Sequence, residues 1–292
     1  MTTSPAAPVA FVQQFRELAP AYDLVLCDVW GVLHNGLAAH KAAGDALTRF
    51  RAGGGAVVLV SNAPRPGTAV EAQLDRLEVP RSAYDAVVTS GDLTRLEVER
   101  RPGQVVHHLG PPRDLPIFEG LDLAFGTLEE ADYAVCTGLF VDDRETVDDY
   151  RDTLDRMRRR ALPMICANPD LVVERGHQLL PCAGALAAAY EALGGEVFYA
   201  GKPHRPAYER ALTVAAGLAG RPVARERILG VGDAIRTDIA GAAGFGIRSL
   251  LVARGIHAGD LLRDDAIHSE SAQDWLDRQE ARPDYLTDRL VW

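Results

Sequence analysis

The apolar run Leu24 to Cys27 has the length of a strand, stops on Asp28 and breaks at once into a loop bounded by Gly31 and Gly36. In an α/β sheet this is how a side chain is displayed at a strand's carboxyl edge. The pattern therefore predicts that Asp28 is presented to a ligand rather than buried in the sheet. A carboxylate held there can attack an electrophile or hold a metal ion.

The same punctuation recurs along the chain. Lys41 to Ala52 has helical spacing and stops at Gly53-Gly54-Gly55; Ala56 to Val60 is a second apolar strand, ending on Ser61-Asn62. A helix over Glu71 to Leu77, a strand over Ala86 to Val88 and a helix over Gly91 to Arg100 complete three βα units. That alternation predicts a parallel sheet with helices on its faces. Before it, Phe11 to Leu18 reads as a short amphipathic helix.

Residues 102–195 carry a βα alternation of their own, with strands at Val105 to Leu109, Tyr133 to Thr137 and Met164 to Ala167 and helices at Thr146 to Arg160 and Gly184 to Leu193. Then Val197 to Ala200 ends on Gly201-Lys202-Pro203, a helix follows over Pro206 to Ala219, and Arg227 to Val231 runs into Gly232-Asp233. Thr237 to Ala243 starts another helix, Arg248 to Val252 is a strand, and a last helix lies near Ala272 to Arg282. The expected organisation is a core formed by residues 1–101 and 196–292, with residues 102–195 inserted as a second α/β domain.

A net charge of −10 argues against a nucleic-acid or anionic-membrane partner, since phosphate groups would be repelled on average. The four cysteines are scattered, with no C-x-x-C pair and no histidine at zinc spacing, so buried thiols in a reducing compartment are expected. Neither a signal peptide nor an apolar stretch of eighteen residues is present, and a soluble cytoplasmic protein is expected.

Four strands thus end on Asp28, Ser61-Asn62, Lys202 and Asp233, and in one open parallel sheet such ends share an edge. Two facing carboxylates repel unless a cation lies between them, and oxygen ligands with a substrate phosphate suit Mg²⁺. Lys202 and the Ser61 hydroxyl fit the remaining phosphate oxygens. Asp28 is then the natural nucleophile, and Asp238, five residues after Asp233, could hold the metal's waters. Each residue alone is ordinary turn, cap or surface chemistry; their order and joint position at strand ends carry the reading. Competing signatures fail. Gly230-Val-Gly232-Asp233 lacks the third glycine of a dinucleotide loop, Gly201-Lys202-Pro203 is no P-loop, and no G-x-S-x-G elbow occurs.

These motifs resemble those of haloacid dehalogenase (HAD) superfamily hydrolases of subclass IIA, whose Rossmann-like parallel-sheet core carries a large inserted α/β cap. The resemblance extends over nearly the whole chain and is to phosphatases of sugar phosphates, nucleotides, glycerol phosphate or pyridoxal phosphate. It implies Asp28 as nucleophile, Ser61 and Asn62 as the second motif, Lys202 as the third, and Gly232-Asp233 with Thr237-Asp238 as the fourth. It also implies Mg²⁺ held by Asp28, the Trp30 backbone carbonyl, Asp233 and Asp238, and substrate contacts from Ser61, Asn62, Lys202, Asn168 and Asp170. A small phosphorylated metabolite and a homodimer are the implied partners.

One position departs from the pattern. Family phosphatases carry a second aspartate two residues after the nucleophile, protonating the leaving oxygen and then activating water; here that residue is Trp30. Three readings follow. The chain is a slow or selective Mg²⁺-dependent phosphatase, favouring leaving groups that depart unprotonated or recruiting His34 as an acid. Alternatively it is a dehalogenase, which also places an aromatic there but needs no Mg²⁺, or a non-catalytic binder of phosphorylated metabolites. Structurally, His34 could simply be a loop residue facing the cap, and Trp30 could fill space between core and cap.

Overall fold

The computed structural model describes residues 8–175 and 178–292. The chain divides into two compact units, one comprising Met1–Val58, Val79–Asp85 and Ala215–Trp292, the other Leu59–Glu78 and Ala86–Val214. Strands and helices are numbered along the whole chain.

In the first unit, strands β1 (Ala10–Phe11), β2 (Leu24–Cys27), β12 (Ile228–Gly232), β13 (Arg248–Val252) and β16 (Tyr285–Thr287) pair in parallel in the order β1-β16-β13-β12-β2. Every residue of β2 and β12 is buried, as expected where a parallel sheet is covered on both faces. Helix α1 (Lys41–Ala52) buries Ala43, Ala46, Leu47 and Phe50, the i, i+3, i+4, i+7 face that its spacing predicts. Helices α7 (Ala240–Phe245), α8 (Ala258–Leu261) and α9 (Ser269–Leu276) and the hairpin of β14 (Leu262–Arg263) with β15 (Ala266–Ile267) complete this unit. A core of Ile235, Ile239, Leu251, Leu261, Leu276 and Leu286 lies among them. Strand β3 (Ala56–Ser61) begins here, its Ala56 N–H donating to the Asp23 carbonyl.

The second unit holds the end of β3, helix α2 (Gly67–Arg76), β4 (Ala86–Thr89) and α3 (Ser90–Glu99). Thr89 caps α3 reciprocally with Asp92: Thr89 Oγ1 accepts the Asp92 N–H at 3.0 Å, and the Asp92 carboxylate accepts the Thr89 N–H at 3.1 Å. Its parallel sheet is formed by β5 (Val105–Leu109), β6 (Ala124–Phe125), β7 (Tyr133–Cys136), β8 (Met164–Cys166) and β11 (Val197–Tyr199), in the order β11-β8-β7-β5-β6. Helices α4 (Arg151–Arg159) and α5 (Ala183–Ala192) pack Leu154, Met157, Leu186 and Tyr190 against this sheet. Strands β9 (Val172–Arg175) and β10 (Gln178–Pro181) pair antiparallel, and most of α6 (Arg205–Ala219) also belongs to this unit.

The structure changes several expectations. Phe11 to Leu18 is not a helix: Ala10 and Phe11 pair with β16, and two 3₁₀ turns follow at Phe15–Glu17 and Ala19–Ala21. Backbone bonds from Ala10 to Asp284 and from Val12 to Leu286 tie this segment to the sheet edge, a tertiary gain that outweighs weak helical spacing. The helix expected over Thr146 to Arg160 opens as a 3₁₀ turn, Val147–Tyr150, before α4. The helix expected from Thr237 is preceded by a π-helical turn, Ile235–Ile239. The final helix lies earlier than expected, at Ser269–Leu276. Most consequential, β11 pairs with β8, so Lys202 leaves a strand of the five-stranded sheet rather than of the sheet carrying Asp28 and Asp233. The single shared edge holds for the two aspartates and not for the lysine.

Candidate active site

Asp28 and Asp233 emerge at one level because β2 and β12 are neighbours in register, with Val231 paired to Cys27. The Asp28 N–H continues the ladder to the Val231 carbonyl at 2.8 Å. Asp238 joins them from the π-helical turn, a wider turn than an α-helix makes and one frequent at functional sites. One oxygen from each of Asp28, Asp233 and Asp238 lies within 4.8 Å of the others, with Asp233 and Asp238 buried and Asp28 partly exposed.

Glycines make room for this cluster. A Cβ on Gly31 or Gly255 would collide with the Asp233 carboxyl, and one on Gly232 with that of Asp238. Backbone donors fix two of the carboxylates: the Ile256 N–H donates to Asp233 Oδ2 at 2.8 Å and the Ala234 N–H to Asp238 Oδ2 at 3.1 Å. Three carboxylates so close repel one another unless a cation offsets their charge, and hard oxygen donors are the ligands that Mg²⁺ takes. The donor set therefore fits a hard divalent cation.

Trp30 packs within its own loop. Its indole meets His34 edge-on, with ring centroids 5.0 Å apart, and lies where a Cβ on Gly36 would stand. Gly36 has φ +85°, and its N–H donates to His34 Nδ1 at 3.0 Å. His34 is 1% exposed, placing it as a brace under Trp30. Among the described residues, neither the Trp30 carbonyl nor its indole N–H makes a hydrogen bond.

In the second unit, Asn62 gathers the other predicted residues. Its Oδ1 accepts the Lys202 N–H at 2.8 Å, while its Nδ2 donates to the Lys202 carbonyl at 3.0 Å and to Asp170 Oδ1 at 2.9 Å. Ser90, which no sequence motif marks, donates its hydroxyl to Asn62 Oδ1 at 3.3 Å. Its position directly after β4 was the available signal. Gly201 permits the approach, since a Cβ there would collide with Ser90 and Asn62. Asn168 Oδ1 accepts the Asp170 N–H at 3.1 Å, and Ser61 Oγ accepts the Ala63 N–H at 3.3 Å. Lys202 is 4% exposed, an unusual burial for an ammonium group and one that calls for anionic or polar company.

The four cysteines are buried and outside any disulfide. For Cys136, burial pushes the thiol up to about 12, far from the thiolate chemistry a nucleophile needs. Among the described residues, no helix is long and apolar enough to cross a membrane.

Comparison with known proteins agrees with this architecture. Residues 25–124 match the family model for haloacid dehalogenase-like hydrolases, and residues 199–291 match a second, HAD-hydrolase-like model. A haloacid dehalogenase-like family hydrolase from Brucella suis is 45% identical, aligns over 96% of this chain and 100% of its own, and superposes with a TM-score of 0.85. The chain belongs to the haloacid dehalogenase-like hydrolases. More distant structures share the fold. A possible sugar phosphatase from Cytophaga hutchinsonii is 21% identical, with coverage of 97% and 99% and a TM-score of 0.78. A p-nitrophenyl phosphatase from Archaeoglobus fulgidus is 20% identical, with coverage of 92% and 97% and a TM-score of 0.70. No curated protein matches the chain.

Proposed function

We propose that this hydrolase is a Mg²⁺-dependent phosphatase of subclass IIA type, acting on a small phosphorylated metabolite such as a sugar phosphate. The observation that carries the reading is the acidic triad: Asp28 and Asp233 at the ends of adjacent strands converge with Asp238 from the π-helical turn, a costly arrangement without a cation. The sugar phosphatase and p-nitrophenyl phosphatase among its structural relatives support the same choice of chemistry.

In this reading Asp28, Asp233, Asp238 and the Trp30 carbonyl hold the ion, which when bound neutralises phosphate charge. Asp28 attacks phosphorus; the bond to the leaving oxygen breaks and its electron pair departs with that oxygen. Water then attacks the aspartyl phosphate and gives up a proton to solvent, offsetting the one that the departed oxygen takes up, while the electron pair of the broken P–O bond returns to the Asp28 carboxylate and phosphate is released. Ser61 and Lys202 bind the phosphoryl oxygens, with Asn62 holding the Lys202 backbone, while Asn168 and Asp170 contribute to substrate binding. Trp30 replaces the usual acid and base, so turnover is slow for esters whose alcohols need a proton to leave. A cap formed by residues 102–195 selects the substrate, and the assembly is a homodimer.

The test is hydrolysis of aryl and alkyl phosphates with and without Mg²⁺, by the wild type and Asp28→Asn. Aryl phosphate turnover that requires both Mg²⁺ and Asp28 supports the reading. Tight binding of phosphorylated metabolites without turnover would instead make the chain a binder.

A further inference from the structure

The triad leans on a loop that supplies no carboxylate to it. After β13 the chain runs through Gly255, Ile256 and His257, and the Ile256 N–H donates to Asp233 Oδ2 at 2.8 Å. The next residue fastens that loop to the turn bearing Asp238. His257 Nε2 accepts the N–H of Ile235, the first residue of the π-helical turn, at 3.2 Å. The preceding N–H, on Ala234, donates to Asp238 Oδ2.

The imidazole is itself fixed. Its ring rests against Trp275 of α9, with centroids 4.9 Å apart, and its Nδ1 faces Asp260 Oδ2 at 3.7 Å. A ring nitrogen that accepts an N–H carries no proton, so the proton of the neutral ring belongs on Nδ1, toward Asp260. One side chain thus joins the backbone that orients Asp233 to the turn that presents Asp238. Gly255 ensures that nothing intervenes, since a Cβ there would collide with the Asp233 carboxyl.

We propose that His257 is a positioning residue for the acidic triad, clamping the 255–257 loop to the 234–238 turn and thereby setting the affinity of the site for a divalent cation. The inference rests on reading the triad as a cation site. His257 touches no substrate atom in this account; it acts through Asp233 and Asp238. Groups that orient metal ligands in this way typically change affinity about 10- to 100-fold when removed.

The experiment is calorimetric titration of the full-length protein with Mg²⁺ and with Mn²⁺, for the wild type, His257→Ala and His257→Gln. The alanine variant is expected to bind each ion about 10-fold or more weakly. Glutamine, whose amide oxygen can accept the Ile235 N–H, is expected to recover affinity to within a few-fold. At saturating Mg²⁺ the KM for an aryl phosphate stays at the wild-type value. Should the alanine variant not fold, His257→Phe makes the same test, since it keeps an aromatic ring against Trp275 and removes the acceptor.

Wild-type affinity in the alanine or phenylalanine variant would overturn the clamp while leaving the phosphatase reading intact. Equal losses with alanine and glutamine would also overturn it, by assigning the effect to packing. A wild type that binds neither ion would remove the cation site, and the clamp with it.

Discussion

Asn62 and Lys202, 140 positions apart, exchange two hydrogen bonds: the Asn62 side chain accepts the Lys202 N–H and donates to the Lys202 carbonyl. A side-chain amide here does the work of a neighbouring strand, fixing the backbone of the residue whose ammonium is expected to meet the phosphate. Asn62→Ala removes both bonds to the buried Lys202 backbone, and a loss of about 1–3 kcal/mol is expected in urea denaturation. Asn62→Asp should cost more, because it turns a carboxylate toward both Asp170 and the Lys202 carbonyl. Equal stability of the wild type and both variants would contradict this role.

Gly31 has φ +79°, and its missing Cβ is what admits Asp233. Gly31→Ala combines left-handed backbone strain of about 1–2 kcal/mol with displacement of that carboxylate. Mg²⁺ affinity should fall about 10-fold or more. Gly54→Ala is the control: φ is +95° there but nothing lies within 4 Å of the added carbon, so stability falls without loss of Mg²⁺ affinity. A matched change in Mg²⁺ affinity in the two variants would refute the steric argument.

Trp30, held by His34 and Gly36, offers a hydrogen-bond donor but no transferable proton. Wild-type rates on a series of phosphate esters should therefore fall steeply as the leaving group becomes more basic. Trp30→Asp should flatten that dependence and raise alkyl phosphate turnover by about 10²-fold, the low end of what general acid–base help supplies. Parallel slopes in the two proteins would show that the proton comes from elsewhere.

Burial holds His108 at about 4, below its ordinary 6.5, with the neighbouring His107 acting in the same direction. Its Nε2 lies 2.9 Å from Thr137 Oγ1, and its ring meets Phe118 edge-on. Between those values the unfolded chain binds a proton that the folded chain refuses, so this contribution to stability is complete above about pH 6.5 and is lost as the pH falls toward 4. His108→Gln should lose less stability over that interval in denaturation curves. An unchanged pH dependence would show that His108 does not contribute to it.

Much of this was legible in the sequence because strands buried on both faces announce themselves as short apolar runs. Helix α1 and strands β5 and β13 fall at their expected residues, and Asp28 and Asp233 do lie at adjacent strand ends. Val197–Tyr199 is as apolar as a core strand, so the sequence does not tell which sheet carries Lys202; only the pairing of β11 with β8 does. The Ala10–Phe11 strand leaves no signal in the sequence because two residues carry no periodicity. The contributions of Ile256, Ala234 and Ser90 left little trace, since two act through backbone N–H groups that any residue supplies and one through a common hydroxyl.

Asp28 takes the phosphoryl group in the proposed reaction, and mass spectrometry of the protein acid-quenched during turnover of an aryl phosphate with Mg²⁺ reads that step. With Trp30 in place of a residue that activates water, a phosphoryl adduct is expected on the peptide containing Asp28, and it disappears in Asp28→Asn. Hydrolysis that proceeds in Asp28→Asn, or an adduct located on another residue, would contradict it.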